Sequence, residues 1–228
     1  MGTTTPRAEP NLLGFRVNHR TMRADTRRLA ELLDRVAAGG ITYDRRRATA
    51  LRTYLRLLCT GIHHHHQTED DVLWPVLERS AGAAVDLRNL SADHAALDPV
   101  LDEVRAGADE LVAVLASAAA DQGRARTVAA RLAAGLTRLS DLLDAHIEEE
   151  ERLLFPVIRR YVSVADWTTV ERAVRRGGSI RFELPRLERY AEPAEMDELR
   201  AIAGPVLRLL LAAMRPGFRR REAVVFGD

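Results

Sequence analysis

Apolar positions recur at three- and four-residue steps along most of the chain, and two-residue alternation is nearly absent, so the pattern predicts an almost all-α protein. A first helix is predicted from about Leu12 to Ala38, ended by Gly39-Gly40. The second runs from about Asp44, its cap, to Ser80, with Leu51, Leu55, Leu58, Ile62, His65, Glu69 and Leu73 on one stripe. A third starts near Val85 or Ser91 and continues to about Ala118, with Pro99 either kinking it or restarting it behind an Asp98 cap. Its stripe is His94, Leu97, Leu101, Val104, Leu111 and Leu115. The fourth spans about Arg124 to Tyr161, with Val128, Leu132, Leu139, Leu142, His146, Glu150, Leu153 and Val157 in line. Four long helices with short connections read as an up-and-down antiparallel four-helix bundle.

Beyond Tyr161 the periodicity weakens. "ADWTTVERAVRR" reads as a short helix ended by Gly177-Gly178, and "SIRFELPRLERYAEP" as an irregular or partly helical connector. A last helical stretch is predicted from about Ala194 to Met214, interrupted near Gly204-Pro205, and the basic tail "RPGFRRRE" reads as a solvated helix end. The expected organisation is a flexible tail over 1–11, the bundle over 12–161, and a helical C-terminal extension over 162–228 that packs on the bundle or on a partner.

The chemistry lies in the polar members of the stripes. His65-Gln-Thr-Glu69, followed by Trp74-Pro75, aligns without a gap to His146-Ile-Glu-Glu-Glu150, hence to His146 and Glu150, followed by Phe155-Pro156. A four-residue step turns a helix only about 40°, so each imidazole and carboxylate share the face that otherwise enters the core. A buried carboxylate needs a partner, and a metal ion supplies one. Imidazole with carboxylate suits iron, manganese or zinc, and two facing glutamates can bridge two ions. His19 and His94, on the first and third helices, bring the set to four histidines and two glutamates. In the run His63-His64-His65-His66, His66 lies about 60° from the stripe's centre and could line or shield the site, while His63 and His64 lie more than about 100° away and face solvent or a neighbouring helix.

In order, number and helix placement, His19, His65-Glu69, His94 and His146-Glu150, with the aromatic–proline pairs downstream, resemble the hemerythrin-like (HHE cation-binding) family over about residues 12–161. The resemblance implies a four-helix bundle around a non-haem di-iron centre: two Fe ions, oxo- or hydroxo-bridged, with bridging glutamates and terminal histidines. Oxygen-carrying hemerythrins place two histidines four apart on the third helix; here Asp98 follows His94 at that step. Asp98 is open to three readings: a third carboxylate ligand, an acceptor for a ligand histidine, or the cap of a helix restarting at Pro99.

Composition narrows the setting. The single cysteine, Cys59, excludes a disulfide framework or a thiolate zinc site within one chain and points to the cytoplasm. The N-terminus has no apolar signal core, and no apolar run approaches the length of a bilayer span; Leu209 to Met214 is among the longest. The net charge of +1, with all 34 basic residues arginine, argues against a dedicated nucleic-acid partner. The function expected is handling of O2, H2O2 or NO, by peroxidase- or catalase-like or oxidase chemistry. The rivals are an O2, NO or redox sensor and a di-iron oxygenase acting on a metabolite, and Mn or Zn in place of iron.

Overall fold

A computed structural model describes residues 8–117 and 121–227. Among them there is no strand, and the helices are α1 (Leu13–Ala37), α2 (Arg45–Thr68), α3 (Trp74–Ala81), α4 (Arg88–Ala116), α5 (Gln122–Tyr161), α6 (Val164–Val174), α7 (Ile180–Tyr190) and α8 (Pro193–Phe226). The protein is all-α, as expected. Asp44 and Asp121 cap α2 and α5 by accepting from the Arg47 and Arg124 amides at 2.7 and 3.1 Å. Gly39, at φ 78°, ends α1 in the left-handed conformation that glycine adopts without strain. The end expected for the third helix, Ala118, lies outside the described residues, as do residues 1–7 of the expected tail. The remainder of that tail is tied down: the Asn11 side chain accepts from the Leu13 amide at 2.8 Å, and its carbonyl accepts from the Trp167 indole at 2.9 Å.

Two departures concern the long helices. The second is not one continuous α-helix, because Glu69–Leu73 forms a π-turn in which the Trp74 amide donates to the Glu69 carbonyl. Pro75 follows at the start of α3, where it can offer no amide to the ladder. Pro99, in contrast, lies inside a continuous α4, so nothing restarts there and Asp98 caps nothing.

Along α1, α2, α4 and α5 the core is layered. One apolar cluster holds Met22, Ile62, Leu97 and Leu143; a second holds Phe15, Leu73, Leu90 and Leu154. On each helix the stripe's histidines and glutamates fall between these two sets, so the polar groups form a layer closed off by hydrocarbon on both sides. The fourth stripe drifts after Glu150: Leu153 and Val157 are only partly buried, and Leu154 and Ile158 are the buried pair.

The extension is more ordered than its sequence suggests. Residues 180–190, read as a connector, form the regular helix α7 despite Pro185, because Phe182 and Arg186 are buried one turn apart. Arg186 (1% exposed) lies 3.5 Å from Asp25 (0%) on α1. The hydroxyls of Tyr54 and Tyr190 both donate to that carboxylate, at 2.9 and 3.0 Å. The basic tail is also no simple solvated end: it continues α8, buries Phe218, Glu222, Val225 and Phe226, and Glu222 accepts from Arg28 and Arg189 at 2.7 and 3.0 Å. The interruption expected near Gly204-Pro205 is present, with Gly204 at φ 64°, ψ −158° inside α8. By length and composition α8 could cross a membrane, with a mean hydropathy of 1.3 over its best window, although no such stretch was expected. The difference arises because the uninterrupted run is short, whereas the window averages across arginines.

Candidate metal centre

His19 from α1, His65 and His66 from the end of α2, Glu69 from the π-turn, His94 from α4, and His146 and Glu150 from α5 converge in the polar layer. All seven are at most 5% exposed. Their ligand atoms fall into two groups, His19, His65, Glu69 and Glu150 in one and His66, Glu69, His94 and His146 in the other, with every atom of a group within 4.8 Å of the rest. Glu69 belongs to both, and Glu150 Oε2 lies 3.8 Å from His146 Nε2, so the two carboxylates stand between the groups.

The Nε2 atoms face inward. Those of His19 and His65 are 3.0 Å apart, and those of His94 and His146 are 3.1 Å apart. Two nitrogens bound to one ion at roughly 2.1 Å and at right angles are about 3.0 Å apart, so this is the spacing of adjacent ligands. The outer ring nitrogens face acceptors. His19 Nδ1 lies 2.9 Å from Glu151, His94 Nδ1 3.1 Å from Asp70 and His146 Nδ1 3.5 Å from Asp93. Such carboxylates fix a ligand histidine's tautomer and direct its free lone pair inward. His65 Nδ1 is 3.3 Å from the Asn18 amide, which serves the same end when its oxygen is turned to the ring.

Aromatic rings hold the imidazoles in place. His66 stacks on His94 at 4.4 Å and Trp74 stacks on the same ring at 5.6 Å, while Phe15 tilts against His19 at 4.4 Å. The Trp74 indole donates to Ser91, and Ser91 donates to Asp70 beside His94. The aromatic of the first aromatic–proline pair thus packs directly on a histidine of the cluster. Phe155, from the second pair, reaches His19 only through Phe15, at 6.0 Å.

Burial sets the protonation. Desolvation pushes His65 down to about 3 and His146 to about 4, and holds His19 and His66 well below the usual imidazole range. These rings are neutral and their lone pairs available. The carboxyls of Glu69 and Glu150 are driven well up by desolvation, Glu150 further by the Glu69 charge beside it. None of their four oxygens has a hydrogen-bond donor, and neither has His66 Nε2 a partner. Six buried polar atoms of this kind, counting His94 Nδ1 off the line of its Asp70 contact, would be costly without a cation to satisfy the inward-facing ones. The donor set, imidazole and carboxylate without thiolate, fits a metal.

The sequence reading placed six of these residues in the site, and the structure brings all six together. His66 joins them as a full member of the second group. Asp98 does not: it is 55% exposed, and its carboxylate accepts from His63 at 2.9 Å on the surface. His64 turns the other way, its Nε2 3.2 Å from the Val174 carbonyl, where a Cβ on Gly177 would lie 2.1 Å from the ring. Asn18, Asp70, Asp93 and Glu151 were not singled out, although the gapless alignment of the two repeats already set Asp70 opposite Glu151.

Comparison with curated proteins and with solved structures finds no match. A family model does match: the hemerythrin HHE cation binding domain, over residues 14–158. That span takes in every residue of the cluster and most of the chain, and the chain belongs to the hemerythrin HHE cation-binding family.

Proposed function

We propose that this chain is a non-haem di-iron protein that handles small oxidants, O2, H2O2 or NO, by peroxidase- or catalase-like or oxidase chemistry. His19 and His65 would hold one ion and His66, His94 and His146 the other, with Glu69 and Glu150 available to both. When bound, an iron pair would supply redox equivalents for a small oxidant. The surrounding residues orient the rings and exclude water, with Glu151, Asp70 and Asp93 accepting from the outer ring nitrogens. The proposal includes the up-and-down antiparallel order of α1, α2, α4 and α5. Its support is that residues near the starts of α1 and α4 meet residues near the ends of α2 and α5.

The observation that carries the reading is the enclosure of the donors: all seven are at most 5% exposed between two apolar clusters. A layer so closed favours diatomics and peroxide over a metabolite, which speaks against the oxygenase alternative. The assay is peroxide consumption alongside reversibility of O2 binding. Peroxide loss that rises in proportion to bound iron supports the proposal, and iron-loaded protein that leaves peroxide, O2 and NO all unaltered overturns it.

His66 makes the two positions unequal, three histidines against two. His66→Ala is expected to lower the affinity of one ion by roughly 10–100-fold or more while the other is retained, by analogy with the cost of removing a group that merely supports a ligand. His63→Ala, at the exposed Asp98 pair, is expected to change neither. Metal titration of both variants, read by mass spectrometry of the intact protein, checks the assignment.

A further inference from the structure

The second half of α8 presents a surface that the metal reading leaves unused. Ile202, Val206 and Leu209 are 64%, 61% and 71% exposed, and Ala213 continues the same face. From Pro205 onward the steps 206, 209 and 213 follow one side of the helix, while Leu207, Leu211, Phe218 and Val225 face the protein. Arginines flank the apolar side. Arg208, Arg219, Arg220 and Arg221 form no ion pair among the described residues, and the only carboxylate from Leu199 to Phe226, Glu222, is buried and taken by Arg28 and Arg189. Beside this face, at the Gly204 break, an open cleft of about 780 Å³ is bordered by Asp197, Arg200, Arg208 and Arg215; Arg200 pairs with Asp197 and Arg215 with Glu188, and Arg208 has no ion pair among the described residues.

We propose that this face of α8 is an interfacial amphipathic helix that docks the protein on an anionic lipid bilayer, against the expectation of no membrane partner. An exposed apolar stripe edged by unpaired arginines is what such a surface attracts: the side chains enter the acyl boundary and the guanidiniums meet headgroup phosphates. A second copy of the chain suits the face less well. Self-association would bring the unpaired arginines of two chains together, and the segment offers no free carboxylate to neutralise them. Nucleic acid would match the charge and leave the apolar stripe wet. Arg208, the cleft arginine without an ion pair, suits a headgroup phosphate at the Gly204 break.

The test is co-sedimentation of the full chain with vesicles of phosphatidylcholine, alone or mixed equally with phosphatidylglycerol, in metal-loaded and metal-stripped form. Binding is expected to the anionic vesicles only, to weaken with salt, and to be the same with and without metal, so its failure is separable from failure of the di-iron reading. The paired substitution Val206→Glu with Leu209→Glu is expected to abolish it, and Arg208→Glu or Arg219→Glu to reduce it by roughly fivefold or more for each charge reversed. Both positions are exposed, and unchanged helicity and metal content verify the fold. Three results would overturn the proposal: no binding to anionic vesicles, equal binding to neutral ones, or a dimer in sedimentation velocity that the paired substitution dissociates.

Discussion

Replacing Glu69 with alanine is expected to strip both metal positions together, because this one carboxylate belongs to both ligand groups. Loss of a group that merely supports a ligand costs roughly 10–100-fold in metal affinity, and a shared carboxylate is worth more than that at each ion. The metal-free protein should respond in the opposite sense. Without a cation the Glu69 carboxyl is buried with no hydrogen-bond donor on either oxygen, a burial that costs about 1–3 kcal/mol, so its removal offsets much of the cavity it leaves. Metal analysis should therefore show an empty centre, while chelator-treated wild type and variant unfold within about 1 kcal/mol of each other in urea. A variant that keeps one ion at wild-type affinity would show that Glu69 is not shared.

The second large effect lies outside the metal layer. Asp25→Ala is expected to cost about 3 kcal/mol, because it leaves the buried Arg186 guanidinium with Glu183, at 2.7 Å, as its one remaining counter-charge, and Tyr54 and Tyr190 without this acceptor. Arg186 keeps its bond from Nη2 to Glu183, but its other two nitrogens already lack a hydrogen-bond partner. A double variant in which leucine replaces Asp25 and methionine replaces Arg186 should recover part of the loss, since it removes the buried pair and leaves only Glu183, 29% exposed, without its partner. Urea midpoints for the single and double variants measure it; a single-variant loss below about 1 kcal/mol would mean that Glu183 alone neutralises Arg186.

The metal layer was legible because the same His-to-Glu step occurs twice on stripes that are otherwise apolar. His66 was harder to place, since it lies about 60° from the centre of the stripe. The end of α2, however, faces two neighbours: His65 meets His19 of α1, and His66 stacks on His94 of α4, so adjacent residues both point inward. The interior sector of a helix ringed by others is wider than an apolar stripe suggests. The π-turn has no signature in the periodicity, as it adds only one residue to a turn. Asp98 misled because it stands where a related pattern places a histidine, but α4 carries it to the surface beside His63. In the extension, arginines concealed a burial pattern at Phe218, Glu222, Val225 and Phe226 that follows helical steps all the same.

The central claim is that seven enclosed side chains exist to hold two ions. Its most direct test is metal analysis of the full chain after reconstitution with ferrous iron under anaerobic conditions and removal of excess. About two irons per chain are expected, one of them lost on His66→Ala. Folded protein that retains a single iron, or none, would contradict it.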